Sequence, residues 1–116
     1  MGYDSKFEAS VAFALGLEQI EYKYEPFKIP YVSEYTPDFQ LPNGILIEAK
    51  GYLRPEHRSK MIKVKKQHPE YDIRFVFQSP NDKIKGSKKG MTFSKWADKH
   101  GFKWAQSIVP REWIDE

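Results

Sequence analysis

Cysteine is absent from this chain of 116 residues. That excludes a disulfide framework and a thiolate-held metal. No apolar run approaches the roughly 20 residues of a membrane span. The N-terminus lacks a signal-peptide pattern. There is no internal repeat, low-complexity tract or second-domain boundary. The three histidines, His57, His68 and His100, show no metal-ligand spacing and read as surface or turn residues. What remains is the profile of a soluble intracellular chain, one domain over residues 1–116. Its 40% hydrophobic and 16% aromatic content is enough to build a core. The net charge of +3 and pI near 9.0 point only weakly to a polyanionic partner; the placement of the charge says more.

The stretch from Tyr35 to Gly51 reads as a β-hairpin. Leu41-Pro42-Asn43-Gly44 has the residues of a type I turn, with proline second and a glycine free to take the left-handed region. A three-residue loop of Pro42, Asn43 and Gly44 with a glycine bulge follows. It sets Leu41 opposite Ile45, Phe39 opposite Ile47 and Asp38 opposite Glu48. Pro37, Phe39, Leu41, Ile45, Ile47 and Ala49 then share one apolar face, and Thr36, Asp38, Glu48 and Lys50 share the other. A two-residue loop of Asn43 and Gly44 would separate the two acids. The three-residue loop is expected because it alone gives one clean apolar face.

Two carboxylates directly opposite each other repel unless a cation sits between them. Asp38, Glu48 and the backbone carbonyl of Ala49 are hard oxygen donors that suit Mg2+ or Mn2+ rather than zinc. Such an ion polarises a phosphodiester and lowers the pKa of a bound water. Lys50, on the same face, would hold that water or stabilise charge on the phosphoryl oxygens. It would act as a general base only with a depressed pKa. The spacing alone is unspecific, because charged residues are 30% of the chain and a solvated hairpin face has the same pattern.

Ser5 to about Leu17 reads as a helix with an apolar stripe of Phe7, Val11, Ala14 and Leu15. Ser5-Lys6-Phe7-Glu8 has capping-box spacing, which gives Glu8 a local role. Its apolar neighbours also suit an acid that reaches the hairpin and completes the metal site. Glu21 to Val32 is a strand candidate whose apolar phase flips at Pro26, marking a bulge or bend. Arg54 to His68 is a second helix with Met61, Ile62 and Val64 as its narrow apolar side, and Asp72 to Gln78 is a central strand. Thr92 to His100 should be a helix capped by Thr92 or Ser94. Phe102 to Trp104 is a short strand and Pro110 to Ile114 a last short helix. This order makes a mixed α/β domain. Arg58, Lys60, Lys63, Lys65 and Lys66 on the second helix, and Lys83, Lys85, Lys88 and Lys89 in the loop Asn81 to Gly90, bracket the acidic site. Together they form a candidate DNA-backbone footprint, with His57 just beyond the hairpin as a further candidate contact.

Pro37-Asp38, Glu48-Ala49-Lys50 and Glu8 resemble the metal-dependent nuclease core written PD-(D/E)XK. More closely, the chain resembles the phage endonuclease I family of Holliday-junction resolvases. The matching stretches are Tyr35-Thr36-Pro37-Asp38-Phe39, Leu41-Pro42-Asn43-Gly44-Ile45, Glu48-Ala49-Lys50-Gly51, Gln67-His68-Pro69-Glu70, Asp72-Ile73-Arg74 with Val76-Phe77, Lys99-His100-Gly101, and Ile108 with Pro110, Glu112, Trp113 and Ile114. They run in order over nearly the whole chain. The resemblance implies a restriction-endonuclease-like core (α-β-β-β-α-β) with a mixed central sheet, and a magnesium-dependent enzyme that cuts branched DNA. Its catalytic positions fall on Glu8, Asp38, Glu48 and Lys50. It also implies a domain-swapped homodimer, each site joining the hairpin of one chain to the helix glutamate of the other. Within the chain, this sequence departs from the family at two places. An acidic position of the first strand falls on Lys23, with Glu21 and Glu25 on the same face, and the segment from Tyr31 to Glu34 is shorter than the family's bridge.

The expected function is therefore a structure-selective DNA endonuclease cutting four-way junctions by phosphodiester hydrolysis, in the host cytoplasm if phage-encoded. Its contacts would read shape and charge rather than base edges. Alternatives are a monomeric nicking endonuclease or transposase-associated nuclease of the same core and, in another class, a non-catalytic binder of branched DNA.

Overall fold

The computed structural model describes residues 3–30, 34–87 and 89–116. Helix α1 (Lys6–Leu17) is capped by Ser5, whose hydroxyl accepts the Glu8 N–H at 3.0 Å. Strands β1 (Lys23–Tyr24), β2 (Ile29–Pro30), β3 (Glu34–Tyr35), β4 (Phe39–Gln40) and β5 (Leu46–Lys50) follow. Then come α2 (Pro55–Gln67), β6 (Ile73–Phe77), α3 (Phe93–Lys99), β7 (Trp104–Gln106) and α4 (Arg111–Ile114).

Five strands form one sheet in the order β1-β4-β5-β6-β7, and β2 pairs with β3 apart from it. The β1–β4 and β4–β5 pairs are antiparallel, and β5–β6 and β6–β7 are parallel. The expected α/β class with a mixed central sheet is what the chain adopts. Parallel neighbours need long crossovers, and α2 and α3 supply them. Both helices lie on one face, where Leu53, Met61, Val64, Phe93 and Trp96 bury Leu46, Phe75 and Phe77. On the other face Val11, Ala12 and Leu15 of α1 and Trp113 of α4 cover Phe39, Ile47, Ala49 and Val76. Strand β6 is buried along its whole length, in keeping with its central place.

The hairpin forms in the expected register. Phe39 pairs with Ile47, the Leu41 N–H donates to the Ile45 carbonyl at 2.9 Å, and the turn closes through the Gly44 N–H on the Leu41 carbonyl. Gly44 takes φ 95°, as the bulge requires.

Elsewhere the chain departs from its sequence pattern. No single strand runs from Glu21 towards Val32. Glu25 adopts φ 47°, and Pro26 has no N–H to continue a ladder. The chain therefore leaves the main sheet after Tyr24 and re-pairs as β2 with β3; Tyr31 and Val32 lie outside the described residues. Strand β7 starts at Trp104, not Phe102, because Gly101 ends α3 at φ 77° and Phe102 turns inward to stack on Trp96 at 5.6 Å. Ile62 faces outward, leaving Met61 and Val64 as the buried side of α2.

Candidate active site

Glu48 sits in the middle of β5, on the face that α2 covers, and is 3% exposed. Asp38, just before β4, is 7% exposed. A solvated hairpin face is thereby excluded. Burying two facing carboxylates is costly unless each is hydrogen-bonded or paired. The Asp38 N–H donates to Glu48 Oε2 at 3.2 Å, and the Ala49 N–H donates to Asp38 Oδ2 at 2.9 Å. The Tyr35 hydroxyl also donates to Glu48 Oε2. Lys50 Nζ lies 3.4 Å from Glu48 Oε1 and 3.9 Å from Asp38 Oδ2.

One lysine does not balance the pair. Burial first, then the charge on Glu48, lift the Asp38 carboxyl to about 9. Burial pulls the Lys50 ammonium down, but Glu48 and Asp38 outweigh it and the net shift is upward. Lys50 is therefore a fixed cation, and the general-base role that needed a depressed pKa is set aside. Burial, then the Glu48 charge, push the Tyr35 phenol well above its ordinary range, so it remains a donor.

Glu8 is brought to the same place within one chain. It is 6% exposed on α1. Its backbone N–H makes half of the capping box, but its carboxylate does not take the Ser5 N–H. Oε1 instead accepts from the Tyr24 hydroxyl at 2.5 Å and the Asp4 N–H at 3.2 Å. Burial and that bond raise the Tyr24 phenol too. Glu8, Asp38, Glu48, Ala49 and Lys50 all line one cavity of about 820 Å3. Among the described residues, however, no three acidic or histidine side chains form a tight metal cluster. The compact donor set is Asp38 and Glu48 with the neighbouring Ala49 carbonyl, and Glu8 stands further along the wall.

The same cavity also has a cationic part. Arg54, His57 and Lys60, from the first turns of α2, line the cavity. Burial, then Lys50 and Lys60, depress the His57 imidazole to about 4, so it is neutral near pH 7. The other basic candidates divide by position. Lys65 reaches the Gly101 carbonyl at 3.2 Å and lies over the Phe102 ring, and Lys66 adjoins His100 in a separate shallow depression. Both are near the start of β6, at the sheet edge opposite Lys50. Arg58 Nη1 donates to the Leu53 carbonyl at 2.8 Å. Lys63 is exposed midway along α2. The loop with Lys83, Lys85 and Lys89 leaves β6 at the Lys50 edge, where the Gln78 N–H bonds the Lys50 carbonyl at 3.1 Å; Lys88 is outside the described residues. The basic candidates therefore do not all border this cavity. The start of α2 and the loop share the site's edge; Lys65 and Lys66 do not.

Sequence reasoning passed over Tyr24, Glu25, Tyr35 and Arg54. Alternation carried back from Phe39 puts Tyr35 on the apolar face, but residues 36–38 are not regular strand and swing it to Glu48. Alternation likewise groups Glu25 with Lys23. The left-handed Glu25 backbone separates them, so Glu25 lines the acidic cavity while Lys23 lines a groove at the sheet edge.

A family model described as Phage endonuclease I matches residues 1–116. A protein named Endonuclease I from Escherichia phage T7 is 42% identical over 120 aligned positions, which cover 98% of this chain and 79% of that one. A protein named Endodeoxyribonuclease 1 from Enterobacteria phage T3 is 40% identical, with 98% of this chain and 78% of that one covered.

Proposed function

The chain belongs to the phage endonuclease I family, and from that premise we propose that it is a metal-dependent, structure-selective DNA endonuclease. Its substrates are branched duplexes, four-way junctions among them, cut by phosphodiester hydrolysis on a restriction-endonuclease-like core. The observation that carries this reading is the buried Asp38–Glu48 pair with Lys50 beside it, in a cavity that Arg54 and Lys60 also line.

The donor chemistry fits Mg2+ or Mn2+. Those ions take one or two carboxylates and keep waters and substrate oxygens in the remaining positions. Asp38, Glu48 and the Ala49 carbonyl would hold the ion, with Glu8 reaching it through a water. Once bound, it would supply a nucleophilic water of lowered pKa and polarise the phosphoryl oxygens. The chain's own groups do the rest. Lys50 places a fixed positive charge beside the scissile phosphate. Glu8 orients water with its free oxygen. Arg54, Lys60 and the 83–89 loop hold neighbouring phosphates, contacts that follow backbone shape rather than sequence.

A two-fold dimer supplies the two cuts that resolving a four-way junction needs, and homodimerisation belongs to the proposal. Phe13 and Leu17 leave an apolar strip of α1 exposed, as a subunit contact requires. Glu8 reaches the hairpin in the same chain, an observation that favours a second reading, a monomeric nicking enzyme. Light scattering, together with paired cuts across a cruciform against single nicks in plasmid, separates the two. If subunits exchange their N-terminal elements, mixed dimers of Glu8→Gln and Glu48→Gln chains regain one working site; a site built within one chain gains nothing from mixing.

The central test is junction cleavage in Mg2+ by wild type beside Glu48→Gln. Loss of cutting with retained junction binding is expected. Equal cutting by both proteins removes Glu48 from the site. A wild type that shifts junctions on a gel and leaves them uncut with either metal makes the protein a binder rather than an enzyme.

A further inference from the structure

Glu8, Asp38 and Glu48 each have one oxygen held by hydrogen bonds and the other outside them. Glu48 Oε2 takes the Tyr35 hydroxyl and the Asp38 N–H, which leaves Oε1 towards Lys50. Asp38 Oδ2 takes the Ala49 N–H, which leaves Oδ1. Glu8 Oε1 takes the Tyr24 hydroxyl and the Asp4 N–H, which leaves Oε2. Both glutamates, the longer and more mobile side chains, are held by a tyrosine. Each tyrosine also lies on the same side of residues 31–33 as its glutamate. Glu8 and Tyr24 are one prearranged half of the site, and Glu48 and Tyr35 the other.

We propose that Tyr35 is a positioning residue that sets the metal preference of the site by making Glu48 a one-oxygen ligand, while Tyr24 holds Glu8, which meets the ion through a water. The argument rests on the metal-dependent reading above. A small ion of octahedral geometry, Mg2+ or Mn2+, takes single oxygens at fixed angles, whereas Ca2+ accepts carboxylates through both oxygens in a looser shell. A glutamate free to rotate serves Ca2+ as well as it serves Mn2+. A glutamate with Oε2 occupied by a phenol and a backbone N–H serves only the small ion well. Partners of this kind orient ligands, and their loss typically costs about 10–100-fold in metal affinity.

Tyr35→Phe and Tyr24→Phe remove the hydroxyls and keep the rings, Tyr35 in the α2-side core and Tyr24 against Phe39 at 5.3 Å. Mn2+ alone is titrated into DNA-free protein with free Mn2+ read by electron paramagnetic resonance, and Ca2+ is then used as competitor. Tyr35→Phe is expected to weaken Mn2+ by about 10–100-fold and Ca2+ by less, so that the Mn2+-over-Ca2+ ratio shrinks. Tyr24→Phe is expected to leave the ratio near that of wild type, because Glu8 meets the ion through a water and keeps the Asp4 N–H. A merely structural loss would weaken both ions equally and leave the ratio unchanged, and that result overturns the proposal, as does wild-type affinity in Tyr35→Phe. No Mn2+ uptake by wild type overturns the metal-dependent reading and this proposal with it, an outcome distinct from uptake with an unchanged ratio. If Tyr35→Phe fails to fold by circular dichroism, Tyr35→Met takes its place, with an unchanged ratio again overturning the proposal.

Discussion

The Ala49 N–H donates to Asp38 Oδ2 at 2.9 Å, where the Phe39–Ile47 register, were it continued by two residues, would pair Ala49 with Pro37. Leu41 and Ile45 are hydrogen-bonded. Alternation makes Phe39–Ile47 and then residue 37 with Ala49 the next bonding pairs. Proline has no N–H to give. The Ala49 N–H is taken by Asp38 Oδ2 instead, and the Ala49 carbonyl, on the same side of the strand, is left without a ladder donor. The proline thus frees the third oxygen of the candidate metal site. Pro37→Ala restores a donor and lets the ladder close over that oxygen. The expected result is about 10-fold weaker Mn2+ binding, read by titration, with thermal stability unchanged or slightly raised. Unchanged Mn2+ binding would take the Ala49 carbonyl out of the ligand set.

The acid pair makes metal-free stability depend on pH. Asp38 has its folded pKa lifted from the ordinary 3.8 to about 9 by burial and Glu48. Between those values the folded state binds more protons than the unfolded one, so stability falls as pH rises. The contribution is fully present below 3.8 and is lost as pH climbs towards 9. In chelator the melting temperature should therefore decline from pH 5 to pH 9. Mn2+ or Mg2+ should flatten the decline, with the largest gain at the alkaline end. Asp38→Asn should flatten it without metal and raise alkaline stability by on the order of 1–2 kcal/mol, while abolishing cleavage. A metal-free melting temperature that rises across this range would contradict the assignment.

Arg74 anchors the far face of the sheet and is a control for these effects. It is 2% exposed on β6. It donates to Asp72 from Nε at 2.9 Å and Nη2 at 2.7 Å, and to Glu116 from Nη1 at 2.6 Å. Its guanidinium also lies over the Trp113 ring. The two carboxylates are half exposed and can hydrate if the arginine is lost, which limits the penalty. Arg74→Ala should cost about 1–3 kcal/mol by urea denaturation. Arg74→Lys should recover only part, because an ammonium cannot make the forked contact to two acids. Mn2+ affinity should not change in either variant.

The hairpin and its two acids were legible in the sequence because turn chemistry and strand alternation are local. Pro42-Asn43-Gly44 fixed the register, and the register placed Asp38 beside Glu48. The rest was hidden for physical reasons. Tyr35 and Glu25 occupy stretches where the backbone leaves regular strand geometry, so alternation assigns them the wrong neighbours. The lysines of α2 look like one cluster in sequence. Six residues separate Lys60 from Lys66, about 9 Å along the axis at 1.5 Å per residue and not a whole number of turns, so Lys60 reaches the cavity and Lys66 does not. The phage endonuclease I stretches were legible because they recur in order along the chain, which the family match over residues 1–116 bears out.

The division of the basic residues makes a quantitative prediction for DNA binding. Each lysine or arginine that neutralises a phosphate steepens the salt dependence of binding by about one unit of log K against log salt. Junction affinity is measured from low to moderate salt in the uncutting Glu48→Gln background. Arg54→Gln and Lys60→Gln, from the cavity wall, should each reduce the slope by about 1. Lys65→Gln and Lys66→Gln, from the opposite edge, should leave it unchanged. His57 lines the cavity but is neutral, its imidazole held near 4. His57→Gln should therefore leave the slope as it is, whatever its effect on affinity. Equal slope losses from Lys60→Gln and Lys66→Gln would mean that DNA wraps α2 from edge to edge, and the single-edge footprint would be wrong.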